Sequence, residues 1–190
     1  MDKLYIEDKT FNKLDFSKNA FVKGIYENCV FTNCDFSNMD LSHIVFSECR
    51  FNECNLSMVK LANTALKDVK FKDCKLLGLY FEHCNNFLFK VYFDNCLLNL
   101  SSFYKLNLKK TTFKNSRLHE VDFTESDLTD SVFDNCDLLK SVFKNTVLEK
   151  VDFQTAFHYS IDPQINRIKK AKFSKAGVLG LLDKYDIDIK

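Results

Sequence analysis

A five-residue period runs through most of this 190-residue chain and dictates its architecture. Counting in fives from Phe11 gives Phe11, Phe16, Phe21, Tyr26, Phe31, Phe36, Leu41, Phe46, Phe51, Leu56, Leu61, Leu66, Phe71, Leu76 and Phe81. After a slip of two residues the count resumes at Leu88 and continues through Phe93, Leu98, Phe103, Leu108, Phe113, Leu118, Phe123, Leu128, Phe133, Leu138, Phe143, Leu148 and Phe153. All twenty-nine centres are Phe, Leu or Tyr, and the second series alternates Leu with Phe throughout. Two residues before each centre the side chain is mostly small or medium, as at Cys34, Cys54, Thr64, Ser101, Ser116 and Ser131. All eight cysteines fall in that register, Cys84 included when counted from Phe81.

The period excludes the two ordinary elements. On an α-helix a step of five turns about 500°, so successive centres drift by about 140° and form no face. On a flat strand a step of five moves each centre to the opposite side. Residues two apart do share one face of a strand. The pattern therefore predicts a short extended piece pointing one small and one large side chain inward, then a corner, once per repeat. A chain of such pieces winds around a continuous core as a solenoid, each coil touching only its neighbours.

Several repeats also carry an acid or amide before the centre: Asp35 with Phe36, Asp40 with Leu41, Asn55 with Leu56, Asn107 with Leu108, Asp122 with Phe123, Asp127 with Leu128, Asp137 with Leu138 and Asp152 with Phe153. With the cysteines and serines ahead of them, these residues resemble the pentapeptide-repeat family from about Phe11 to Phe153. The resemblance implies an all-β fold, a right-handed quadrilateral β-helix with four repeats per coil. Independently, a twenty-residue coil aligns Phe11, Phe31, Phe51 and Phe71, continued after the slip by Phe93, Phe113, Phe133 and Phe153. A second column reads Leu66, Leu88, Leu108, Leu128 and Leu148. About seven coils at about 4.8 Å each give a rod roughly 35 Å long.

The expected organisation is an N-terminal cap over residues 1–10, the β-helix over 11–157 with its slip near 82–87, and a final coil, capping helix and tail over 158–190. The slip predicts a bulge, with Asn85, Asn86, Phe87 and Phe89 as candidate contacts, since irregularities on a rigid scaffold carry function. Ser174 reads as the N-cap of a short C-terminal α-helix through about Tyr185. Val178, Leu179, Leu181, Leu182 and Tyr185 are expected to cover the open core, to meet a second copy, or both; Ile187 and Ile189 extend that end as a candidate terminal strand. The cysteine spacings are repeat spacings without any Cys-x-x-Cys pair, so buried core thiols are expected in place of a metal site.

Composition bounds the function. A net charge of +1 gives no global field for nucleic acid or membrane. No apolar run approaches the roughly 20 residues of a membrane span, and a cytoplasmic protein is expected. His43, His83, His119 and His158 are scattered, with no phosphate loop and no recurring nucleophile, base and acid. The reading is a binding protein with no enzymatic activity, no cofactor and no direct nucleic-acid binding. Within the family, the chain is similar to the quinolone-resistance (Qnr-like) group in its Cys-rich early coils, its length and its Asp-Pro before an apolar C-terminal segment. That resemblance implies a homodimer joined at the C-terminal end and a DNA-mimicking surface that binds a type II topoisomerase, DNA gyrase, and protects it from quinolones or toxins. The candidate surface is an acidic girdle of Glu120, Asp122, Glu125, Asp127, Asp130, Asp134 and Asp137, which lacks any Lys or Arg between its members. The alternative is an interaction scaffold for another protein partner, without DNA mimicry.

Overall fold

The computed structural model describes residues 4–16, 18 and 21–188. Thirteen short strands follow the chain: β1 (Leu4–Glu7), β2 (Thr10–Asn12), β3 (Gly24–Glu27), β4 (Val30–Thr32), β5 (Val45–Ser47), β6 (Arg50–Asn52), β7 (Ala65–Lys67), β8 (Val69–Lys72), β9 (Val91–Asp94), β10 (Thr112–Lys114), β11 (Val132–Asp134), β12 (Asp152–Phe153) and β13 (Lys172–Phe173). One wall is a nine-stranded sheet in the order β2-β4-β6-β8-β9-β10-β11-β12-β13. A second begins as β1-β3-β5-β7. The pairs are parallel and, apart from β8 with β9, join residues twenty apart, as at Phe11–Phe31 and Phe113–Phe133. Single parallel bridges build the other walls, one of them running Asp15–Asp35–Asn55–Lys75–Leu97–Arg117–Asp137–Phe157. The fold is thus a parallel β-solenoid.

Nine rungs on one wall enclose eight coils, one more than the count of centres predicts. The N-terminal end extends further than expected. β1 pairs with β3 and sets Ile6 beside Tyr26, so Leu4–Glu7 is a first rung and not a separate cap. Met1–Lys3 lie outside the described residues. At the other end β13 pairs Phe173 with Phe153 and completes the final coil.

The inward register holds the molecule together. Along the nine-stranded wall the rings stack from coil to coil, with centroids 4.8 Å apart for Phe11–Phe31, 4.7 Å for Phe31–Phe51, 5.2 Å for Phe93–Phe113 and 4.7 Å for Phe113–Phe133. These are the offset contacts that aromatic quadrupoles favour. Each fully buried ring contributes on the order of 1.5–3 kcal/mol. The cysteines fill the small register: all eight are free and buried. Cys54 donates to Asn52 O at 3.2 Å and Phe31 O at 3.5 Å. Burial pushes the Cys49 and Cys136 thiols up to about 12.

The corners explain how a β-rich chain manages with four glycines. Two residues after most centres the backbone turns through a left-handed conformation, with φ between +47° at Asn28 and +66° at His43. Among the described residues twenty-eight with positive φ are not glycine, and Asn is the most frequent among them. Asn tolerates this conformation because its short polar side chain bonds locally. The corner N–H groups donate to the following coil, as Asn28 N does to Ser47 O at 2.9 Å. Inter-coil hydrogen bonds therefore offset the strain of the turn.

The slip lies slightly later than its expected position. The coil offset is still twenty at Ala65–Asn85 and becomes twenty-two at Val69–Val91. The two extra residues therefore fall between Asn85 and Val91. Leu88, expected as a centre, is 63% exposed at φ +59°, whereas Leu108 in the same expected column is 1% exposed. Phe89 packs against the core in its place. The reason is geometric: the extra residues form a corner at Leu88, so the next side chain is the one that turns inward.

The expected α-helix at the C-terminus is two 3-10 turns, Gly177–Leu181 and Asp183–Tyr185. Ser174 Oγ accepts the Gly177 N–H at 2.9 Å, but the residue at the cap position of the first turn is Ala176, whose side chain has no oxygen to accept a bond. Two glycines let the segment lie directly on the last coil: a Cβ at Gly180 would meet Tyr159 O at 2.1 Å, and one at Gly177 would meet the Tyr159 hydroxyl. Ile161 N donates to Gly180 O at 3.0 Å and ties the cap down. Glycine disfavours an α-helix; here it permits the close contact instead. No strand forms at Ile187, and Ile189 lies outside the described residues.

Candidate partner-binding surfaces

The acidic girdle is a structural ring. Its seven residues occupy corners at Glu120, Glu125 and Asp130 and wall positions at Asp122, Asp127, Asp134 and Asp137. Their surroundings are not free. Lys105 Nζ lies 3.3 Å from Glu125, Lys109 Nζ 3.1 Å from Asp127 and Lys150 Nζ 3.8 Å from Asp130. Asp134 accepts from Thr155 Oγ1 at 3.1 Å. Asp122, Asp127 and Asp137 each turn one oxygen back to the backbone N–H two residues on, at 2.8, 3.0 and 3.3 Å. These are Asx turns that shape the corner. Six of the seven acids are thus held in cross-coil pairs or turn-forming bonds, and Glu120 makes no salt bridge among the described residues.

Asp137 is shared by two imidazoles, with His119 Nε2 at 2.7 Å and His158 Nδ1 at 2.9 Å. Burial pushes its carboxyl up, but the hydrogen bonds and charges of the two rings outweigh that and hold it below the usual carboxylate range. A carboxylate hydrogen-bonded to two rings orients both imidazoles. A hydrolytic site would add a nucleophile and an oxyanion hole. Among the described residues, no group of three or more His, Cys, Asp or Glu side chains is placed to hold a metal ion.

The bulge exposes Asn85, Asn86 and Phe87, the last at 69%, while Phe89 turns in to meet Phe81 edge-on at 6.5 Å. Asn85 Oδ1 accepts the Phe87 N–H at 2.9 Å, so this corner too is an Asx turn. Phe87 lies under Lys67 Nζ, 5.8 Å from the ring centre. At the C-terminal end Leu181 packs against the core, while Val178, Leu179, Leu182 and Tyr185 remain exposed.

One surface escaped sequence reasoning. Where the bulge leaves the wall, no bridge joins Asn85 to Asn107, although the same wall is bridged at Ala65–Asn85 and Asn107–Asp127. A cleft of about 710 Å³ opens there. Its lining includes Leu88, Phe89, Tyr92, Lys90, Lys105, Lys109 and Lys110, and no carboxylate. The density of lysines at 105–110, one coil beyond the slip, was the available signal.

The family described as pentapeptide repeat region matches residues 24–86 and 86–157. The chain belongs to the pentapeptide-repeat family. Among solved structures it is similar to full-length QnrB1, a plasmid-mediated fluoroquinolone resistance protein, at 18% identity over 97% of this chain and 100% of that one, with a TM-score of 0.54. That likeness shows a shared fold. HetL, a pentapeptide-repeat protein involved in heterocyst differentiation regulation from the cyanobacterium Nostoc, matches at 13% identity over 92% of this chain and 88% of that one, with a TM-score of 0.33. No curated protein matches the sequence. Among the described residues no helix is long and apolar enough to cross a membrane.

Proposed function

We propose that this pentapeptide-repeat protein is a non-catalytic interaction scaffold, a rigid rod that presents its bulge, its girdle wall and its C-terminal end to a protein partner. The observation that carries this reading is the pairing of the girdle. Glu125, Asp127 and Asp130 face Lys105, Lys109 and Lys150 across the coils, which leaves a mixed-charge wall. A DNA mimic needs an extended negative stripe, so the scaffold reading comes first. Eight buried thiols suit a reducing cytoplasm. The exposed Val178, Leu179, Leu182 and Tyr185 suit a homodimer joined at that end.

The second reading is protection of a type II topoisomerase. It is favoured by the shared fold with a fluoroquinolone resistance protein along nearly the whole chain. DNA gyrase supercoiling, followed with and without a quinolone as the protein is titrated, separates the two. A scaffold for another partner leaves both curves unchanged. A rise in the quinolone concentration needed for inhibition transfers the conclusion to the topoisomerase.

A further inference from the structure

The cleft beside the bulge is marked by its charge and its backbone pairing. Four lysines and no carboxylate line this opening. Lys90 and Lys109 hold Asp68 and Asp127 at 3.0 and 3.1 Å, and Lys105 holds Glu125 at 3.3 Å; none of these three acids lines the cleft. Exposed pairs of this kind are weak and exchange partners readily. Lys110 makes no salt bridge among the described residues and stands at a corner with φ +59°. The backbone adds a donor. Ser102 N and Asp127 N donate back to Leu79 O and Leu106 O at 2.8 and 2.9 Å, whereas Asn107 N–H, at the equivalent position beneath the bulge, meets no backbone carbonyl among the described residues. The same opening offers apolar surface at Leu88 and Phe89, with Tyr92 on its rim, 5.3 Å from Lys90 Nζ.

We propose that this cleft receives an acidic segment of a partner protein, its carboxylates set against Lys90, Lys105, Lys109 and Lys110 and a large apolar side chain over Leu88 and Phe89. Carboxylates match both the ammonium groups and the spare Asn107 N–H. A long polyanion such as nucleic acid fits poorly. In the strand register Asp68, Lys90, Lys110 and Asp130 follow one another from coil to coil, so an extended phosphate backbone would run onto acids at both ends. A short segment ends before it reaches them. The proposal deepens the scaffold reading by naming the chemistry of the partner, and it rests on that reading.

The probe is a fluorescein-labelled pentapeptide with four acidic residues around a central phenylalanine, followed by anisotropy on the full chain. A version with the acids replaced by their amides and a single-stranded oligonucleotide serve as comparisons. The acidic peptide should bind, weaken on raising the salt, and lose about tenfold or more in affinity with Lys110→Glu. Lys140→Glu makes the same charge change at a corner on a different coil and should leave affinity within about twofold. Three results overturn the proposal: no binding of the acidic peptide, equal loss from both variants, or equal or tighter binding of the amide peptide or the oligonucleotide. Failure here leaves the scaffold reading standing, because that reading is judged by the supercoiling titration.

Discussion

Leu88 and Leu108 occupy equivalent positions in the five-residue count, so a strict register expects their truncation to cost the same. The structure separates them: Leu88 is 63% exposed at a left-handed corner, and Leu108 is 1% exposed in the core. Removing a buried leucine costs the transfer of its lost carbons plus the cavity left behind, about 2–5 kcal/mol for Leu→Ala. Leu108→Ala belongs in that range because coils on both sides constrain collapse of the site. At Leu88 only about a third of the side chain leaves water, and no enclosed cavity forms. The expected cost of Leu88→Ala is then below about 1 kcal/mol. Phe89→Ala should fall between them, because Phe89 is partly buried and meets Phe81. Urea unfolding reads the difference as a midpoint shift at constant slope. With a slope of about 1–3 kcal/mol per molar, Leu108→Ala moves the midpoint by roughly one molar or more, and Leu88→Ala by a small fraction of that. Equal shifts for the two leucines would restore the strict register and refute the placement of the bulge.

Two further outcomes follow from the C-terminal half. The depressed Asp137 value means that its stabilising contribution is complete above the unfolded carboxylate value of about 4 and is lost as pH falls through the folded value. Asp137→Asn should therefore be destabilising near pH 6, with the gap from wild type closing below about pH 4; a gap of constant size across that range contradicts the His119–Asp137–His158 arrangement. Leu182→Asp should convert a dimer to a monomer in light scattering after gel filtration while leaving the far-ultraviolet spectrum unchanged, and a wild-type protein that is monomeric at high concentration removes the dimer from the proposal.

The core was legible in the sequence because the repeat writes each column twice over, in the large centres and in the small residues two before them. Phe93, Phe113 and Phe133 stack as the twenty-residue count requires. The bulge was legible as a two-residue excess, but not in its detail. Leu88 and Phe89 are adjacent and both apolar, and the alternation of Leu with Phe favours Leu88. Only the corner geometry decides for Phe89. The C-terminal segment misleads for a related reason: its apolar residues suggest an amphipathic helix, while Gly177 and Gly180 are there for contact with Tyr159. Of the lysine cleft only the density of lysines at 105–110 was legible; the opening itself depends on where the chain departs from the wall.

The girdle shows why surface function is hard to extract from such a repeat. Before a centre, the acid or amide serves the turn: Asp122, Asp127 and Asp137 are held by backbone N–H groups of their own repeats, as are Asp35, Asp40 and Asn55 outside the girdle. Such a carboxylate is part of the corner wherever the repeat recurs, whatever the partner. Counting acids along the chain therefore overstates the charge available for recognition. The corner residues two after each centre are under a weaker demand, since they need only tolerate positive φ, and Asn, Asp, Glu, Lys, His, Met and Leu all occur there. Variation at those corners, and at the one stretch where the coil length changes, is where a pentapeptide-repeat rod can be specific. Lys110 and Leu88 are both corner residues, and both line the cleft that the change in coil length opens.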